Sequence, residues 1–182
     1  MSLQQEKTTT TRAVTARSVP SGDVVEVPAG TVVTVTQALG SSFSVVAGGQ
    51  LVRIDGRDAD AISREVPPPL PTLPTDATPE QVQELVWDTL RTCYDPEIPI
   101  DIVGLGLVYA CELMPQDDGR FKVLIDLTLT APGCGMGEVL ADEVAEKVLA
   151  LPPVSQVDVQ LVFDPPWDRY RLSEAARLAL GM

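Results

Sequence analysis

The chain of 182 residues contains no histidine. That absence removes Ser-His-Asp and Cys-His catalysis, imidazole acid–base chemistry and His-ligated zinc. Cations are scarce too: 13 Lys and Arg stand against 26 Asp and Glu, a net charge of −13 that disfavours nucleic acid and anionic membrane surfaces as partners. No apolar run approaches the roughly 18 residues of a membrane span, and Met1 to Arg17 is polar and threonine-rich rather than signal-like. Cysteines number three, at positions 93, 111 and 134, an odd count with no close-spaced pair of the kind a zinc ribbon needs. A disulfide framework is therefore not expected, and a cytoplasmic location is.

Against these gaps one stretch stands out. Phe121, Val123, Ile125, Leu127 and Leu129 alternate with Lys122, Asp126, Thr128 and Thr130, the period of two that marks a half-buried strand. Pro132 and Gly133 break it, after which Met136, Leu140, Val144 and Val148 recur at every fourth position as a helix stripe. Cys134 falls at the junction, where Gly133, Gly135 and Gly137 leave the backbone bare enough for a ligand to approach closely. The unpaired N–H groups of a helix's first turn favour an anion and lower a thiol's pKa below its free value of about 8.5, so this position favours thiolate, the metal-binding form. A small buried hydrophobe in a tight turn is the alternative use of a free cysteine.

The rest of the chain divides into two folding units. Residues 1–12 lack apolar periodicity and are expected to be disordered, and residues 13–65 carry short Val-rich runs between turn signals, which predicts a small all-β domain. Within it Thr31 to Gln37 and Phe43 to Ala47 read as strands, and Gly48-Gly49 joins the latter to Gln50 to Ile54 as a tight hairpin. A lipoyl- or biotinyl-type carrier fails because no lysine lies between Lys7 and Lys122. Residues 66–78 form a proline-rich connector. Residues 79–182 form the second domain.

That domain opens with a capping-box pattern, Thr78-Pro79-Glu80-Gln81, and a stripe of Val82, Leu85, Val86, Leu90 and Cys93, which makes Cys93 a core residue. Asp95-Pro96-Glu97-Ile98-Pro99 follows, a loop that two prolines hold extended with two carboxylates; local backbone capping by Asp95 is the plain alternative. Leu105, Leu107, Tyr109, Cys111 and Leu113 alternate as a strand, and Asp117-Asp118-Gly119 turns into the strand that leads to Cys134. Gly104-Leu105-Gly106 lacks the third glycine of a dinucleotide motif, so nucleotide binding is rejected. Val157, Val159, Leu161 and Phe163 give a third strand, and Ser173 is placed to cap a closing helix.

The expected fold class is therefore α+β: a two-layer mixed sheet with helices on one face, in the order helix-strand-strand-helix-strand-helix, preceded by the small all-β domain. Antiparallel pairing of the first two strands would set Asp95 or Glu97 close to Cys134.

Several phrases together resemble a known family: Asp95-Pro96-Glu97-Ile98-Pro99, Gly104-Leu105-Gly106-Leu107-Val108-Tyr109, Thr128-Leu129-Thr130-Ala131-Pro132-Gly133-Cys134, Asp164-Pro165-Pro166-Trp167 and Ser173-Glu174-Ala175-Ala176-Arg177. They look like the small domain shared by bacterial SufT-type iron–sulfur assembly factors, the PaaD protein of phenylacetate degradation and the eukaryotic cytosolic iron–sulfur targeting proteins. The resemblance spans about Thr78 to Met182, and Gly133-Cys134-Gly135-Met136-Gly137 is most similar to the SufT branch. It implies a non-enzymatic auxiliary factor in iron–sulfur protein maturation, with Cys134 as the reactive cysteine and metal ligand. Asp95 and Glu97 become the acidic motif, with Thr130, Gly133 and Gly135 beside the thiol. The implied cofactor is a transient iron–sulfur cluster, and the implied partners are the assembly machinery, client apoproteins and a second copy in a homodimer. One cysteine supplies one ligand, so such a cluster would be labile or shared. A metal-free adaptor that docks clients through its acidic surface is the alternative reading.

Overall fold

The computed structural model describes residues 6–19, 21–39, 42–68, 72–74, 76–95, 98–131 and 136–182, and within these the chain forms two compact units that divide between Pro69 and Leu70. Together they make a mixed α+β protein with one large antiparallel sheet and one small three-stranded sheet.

The first unit is a six-stranded sheet in the order β1-β4-β5-β6-β2-β3, built from β1 (Glu6–Thr9), β2 (Val14–Ser18), β3 (Val24–Val27), β4 (Val32–Leu39), β5 (Ser42–Ala47) and β6 (Gln50–Asp55). Alternation of side chains gives it a core: Val33 and Val35 on β4, Phe43 and Val45 on β5, and Val52 and Ile54 on β6 are buried together. Gly48 and Gly49 take φ values of 56° and 85°, the left-handed pair that a two-residue hairpin needs, and Ala47 pairs with Gln50 across it. Asp55 accepts from the Arg57 N–H and starts a 3₁₀ segment, Gly56–Ile62, that adds Ala59, Ala61 and Ile62 to the core.

Disorder over residues 1–12 does not hold for the part described. Glu6 to Thr9 pairs antiparallel with Val32 to Val35. The physical cause is non-local: threonines suit a strand once a partner edge exists, and the segment is pinned by Thr10, whose hydroxyl donates to the Pro28 carbonyl at 2.6 Å. Arg12 reaches Asp58 and Asp60 at 2.7 Å each.

The second unit begins with α1 (Pro79–Leu90), whose capping box is formed in full: Thr78 Oγ1 accepts from the Gln81 N–H, and Gln81 Oε1 accepts from the Thr78 N–H. Then come β7 (Val108–Pro115), β8 (Phe121–Leu127), α2 (Met136–Leu149), β9 (Val154–Leu161) and α3 (Glu174–Ala179). The sheet order is β7-β8-β9, antiparallel between β7 and β8 and parallel between β8 and β9. Phe121, Val123, Ile125 and Leu127 enter one core with Val82, Leu85, Val86 and Leu90 of α1 and Leu140, Val144 and Val148 of α2. Lys122, Leu124 and Asp126, on the other face of β8, are half-buried. Burying each large aliphatic side chain of that core contributes on the order of 2 kcal/mol, so the meeting of the helix stripes with β8 dominates the unit's stability. Leu73 and Ala77, from the end of the proline-rich connector, pack into the same core.

Leu105 and Leu107 are fully buried but precede the strand rather than belonging to it. The Asp101 carboxylate accepts from the Gly104 N–H at 2.8 Å, and Gly106 turns at φ 68°, so the chain coils through residues 101–106 before β7 starts at Val108. Two leucines two residues apart are compatible with either path. The hydrogen bonds of Asp101 choose the turn.

Candidate functional site

Asp95 lies on the stretch that leaves α1. Cys93 is fully buried, as its place in the stripe requires, and Asp95 is only 7% exposed. One carboxylate oxygen of Asp95 accepts from the Ile98 N–H at 3.1 Å, a bond to backbone three residues on. From here a chain of backbone hydrogen bonds crosses the unit. Ile102 N–H donates to Cys93 O at 2.9 Å, Leu107 N–H to Ile102 O at 2.9 Å, and Thr128 N–H to Leu107 O at 2.8 Å. The segment that bears Asp95 is thereby tied to the segment that carries Thr130, which is half-buried just beyond the end of β8.

Of the residues singled out in the sequence, Asp95 and Thr130 are thus brought to connected segments. Glu97, Gly133, Cys134 and Gly135 lie outside the described residues, and with them the predicted proximity of carboxylate and thiol. What flanks the thiol segment is defined. Gly137, in the first turn of α2, is buried, and a Cβ at that position would come within 2.5 Å of Leu129 Cδ1, so glycine lets the helix start sit against the strand end. Thr128 is fully buried, and its hydroxyl has no hydrogen-bond partner among the described residues.

Cys111 is half-buried, and desolvation, helped by the Glu112 charge, pushes its thiol up to about 11. It is a neutral thiol at ordinary pH and a poor metal ligand. No group of three or more His, Cys, Asp or Glu able to hold a metal ion exists among the described residues.

The remaining sequence phrases meet each other in a way that sequence reasoning missed. Trp167 Nε1 donates to Leu105 O at 2.8 Å, Ser173 N–H to Gly104 O at 2.9 Å, and Tyr109 Oη to Pro165 O at 2.8 Å. Arg171 stacks its guanidinium 3.9 Å from the Tyr109 ring centroid, and its backbone fills the space beside Gly106 that a Cβ would need. The segment from Asp164 to Ser173 therefore clamps the 104–109 turn, and that turn carries the hydrogen bonds to Ile102 and Thr128. A Trp directly after a proline pair, Pro165-Pro166-Trp167, was the available signal.

Most of the second unit matches one family. The model for iron–sulfur cluster assembly proteins matches residues 83–160, from α1 to the end of β9. An Fe-S protein maturation auxiliary factor of Bacillus subtilis, YitW, is 38% identical over 103 residues, which cover 57% of this chain and 97% of that protein. The chain belongs to the iron–sulfur cluster assembly protein family. The Staphylococcus aureus Fe-S protein maturation auxiliary factor SufT is 41% identical over 88 residues, 48% of this chain and 96% of the relative. Among solved structures, a domain of unknown function from Bacillus anthracis is 34% identical with a TM-score of 0.49, covering 57% of this chain and 94% of that one. The family match includes Asp95, Glu97, Thr130 and Cys134 and stops short of the six-stranded unit.

Proposed function

We propose that this iron–sulfur assembly protein is an auxiliary maturation factor in which the Cys134 thiolate makes a transient contact with iron or with a cluster in transit to client apoproteins. The observation that carries the reading is the 38% identity over nearly the whole length of a protein named as an Fe-S protein maturation auxiliary factor. The cluster is cargo rather than a resident group. Cys93 is buried and Cys111 is held neutral, so Cys134 is the thiol left for the task. One thiolate per chain falls well short of the roughly four ligands that a cluster takes, so the contact is labile. A homodimer or a partner's thiols would complete it. Asp95 and Glu97 would act beside the thiol as proton acceptors or oxygen donors, and Thr130, Gly133 and Gly135 would shape the approach to it. A cytoplasmic, non-enzymatic role completes the proposal.

The test is a Cys134→Ser substitution in cells that lack the wild-type protein. Client enzyme activity is expected to fall to the level of the null strain while the variant unfolds at the wild-type urea midpoint; unchanged client activity overturns the reading. Anaerobic reconstitution with iron and sulfide separates it from a metal-free adaptor, since only a thiolate contact gives charge-transfer absorbance that disappears in the variant.

A further inference from the structure

We infer that the groove between α1 and the outer edge of β7 is a docking site for a short, extended, cationic segment of a partner protein. The groove is open, holds about 440 Å³, and is lined by Pro79, Glu80, Gln83, Glu84, Trp87 and Leu113. β7 is an edge strand of the three-stranded sheet. Which of its backbone groups face outward follows from the hairpin. Gln116 N–H donates to Arg120 O at 2.8 Å, so by alternation Met114 and Glu112 bond across to β8 while Leu113 and Cys111 point away from it. Gln83 Nε2 already occupies the Cys111 carbonyl at 3.2 Å. The N–H and C=O of Leu113 have no partner among the described residues, and Pro115, which has no N–H, ends the edge. An added strand therefore gains two backbone hydrogen bonds at Leu113, and with the Cys111 carbonyl taken and Pro115 ending the edge it is limited to about three paired residues.

Side-chain chemistry then selects the occupant. Trp87 and Leu113 give the groove an apolar floor, while Glu80 and Glu84, exposed and one turn apart on α1, repel each other and meet no cation among the described residues. Arg91, the only cation that follows on α1's end, is committed to Asp88 at 2.8 Å. A Lys or Arg can lay its aliphatic stem on Trp87 and Leu113 and bring its charge to the two carboxylates. A second copy of the chain is a poor occupant, because each copy carries a net charge of −13. Cys134 is not among the residues that line this surface.

The experiment uses the full chain labelled with 15N and titrated with two synthetic pentapeptides, acetyl-Val-Lys-Val-Arg-Val-amide and the same peptide with Gln at both cationic positions. Chemical-shift changes are expected to concentrate on Glu80, Gln83, Glu84, the Trp87 indole and the Leu113 amide. Binding should weaken about five-fold for the neutral peptide and for the Glu80→Gln/Glu84→Gln double variant, the loss expected of two rim charges. Cys134→Ser should bind as the wild type does, so that failure of the docking site and failure of the maturation role are read separately. Shifts scattered over the acidic surface, unchanged affinity in the double variant, or a silent Leu113 amide overturn the inference. So does a concentration-dependent shift at these residues without peptide, which would assign the groove to a second copy.

Discussion

Replacing Gly106 by alanine isolates the contact between the 104–109 turn and the C-terminal segment. Gly106 sits at φ 68°, and a Cβ there would overlap the Arg171 carbonyl oxygen and lie 2.8 Å from Arg171 Cβ and 2.9 Å from its carbonyl carbon. The left-handed conformation costs an alanine about 1–2 kcal/mol. The overlap adds about 1–3 kcal/mol, the usual cost of overpacking, because the obstacle is backbone and cannot rotate away. Arg171 is held on both sides, by its own N–H to Asp168 O at 3.1 Å and by Ser173 N–H to Gly104 O at 2.9 Å. Gly119→Ala is the reference: it has φ 77° and open space around the new methyl, so it carries the conformational term alone. Both replacements lower the entropy of the unfolded chain equally, which cancels in the comparison. The difference between the two variants should therefore be about 1–3 kcal/mol. Urea unfolding followed by tryptophan fluorescence measures it cleanly, since the protein's two tryptophans, Trp87 and Trp167, both lie in the second unit. Equal midpoints for Gly106→Ala and Gly119→Ala would refute the close approach, and with it the claim that the Asp164–Ser173 segment clamps the turn.

Other outcomes follow from single contacts. Thr78→Ala removes the capping box and should cost about 1 kcal/mol in the same assay; a change below a few tenths would mean that α1's tertiary packing alone sets its start. Trp167→Phe leaves the Leu105 carbonyl without its donor and should cost about 1–3 kcal/mol, read as a lower urea midpoint. For Cys111, alkylation of the Cys134→Ser variant with iodoacetamide should be slow at pH 8 and rise about ten-fold per pH unit toward the thiol's value of about 11; fast labelling at pH 8 would show that burial does not hold it neutral. The folded thiol keeps its proton where the unfolded one loses it, so stability is unaffected below about pH 9 and falls as pH climbs from about 9 to 11. Cys111→Ala should flatten that slope. Gly137→Ala should shift stability by less than about 1 kcal/mol, because the gain in helix propensity offsets the displacement of one flexible Leu129 side chain, and its readout is movement of the Leu129 and Thr130 resonances.

Periodicity and turn chemistry carried much of this fold in the residues themselves. The alternation from Phe121 to Leu127, the every-fourth-residue stripe through Leu140, Val144 and Val148, the Thr78–Gln81 box, the Gly48-Gly49 hairpin and the Ser173 cap are local rules, and the structure obeys each of them. The constellation of phrases that marks the iron–sulfur assembly family was legible for the same reason, since it is a matter of residue identity and order. What tertiary structure decided was every question that turns on a distant partner. Glu6–Thr9 became a strand because β4 offered an edge more than twenty residues away. Leu105 and Leu107 left the strand because Asp101 and a left-handed Gly106 stabilised a turn instead. Trp167, Tyr109 and Arg171 acquired roles only when the C-terminal segment folded over that turn. Asp95 shows the division most sharply. Its carboxylate could be read from the sequence, but its burial and its bond to the Ile98 N–H depend on what packs around it, and a hydrogen bond of this kind leaves no periodic trace in the residues it joins.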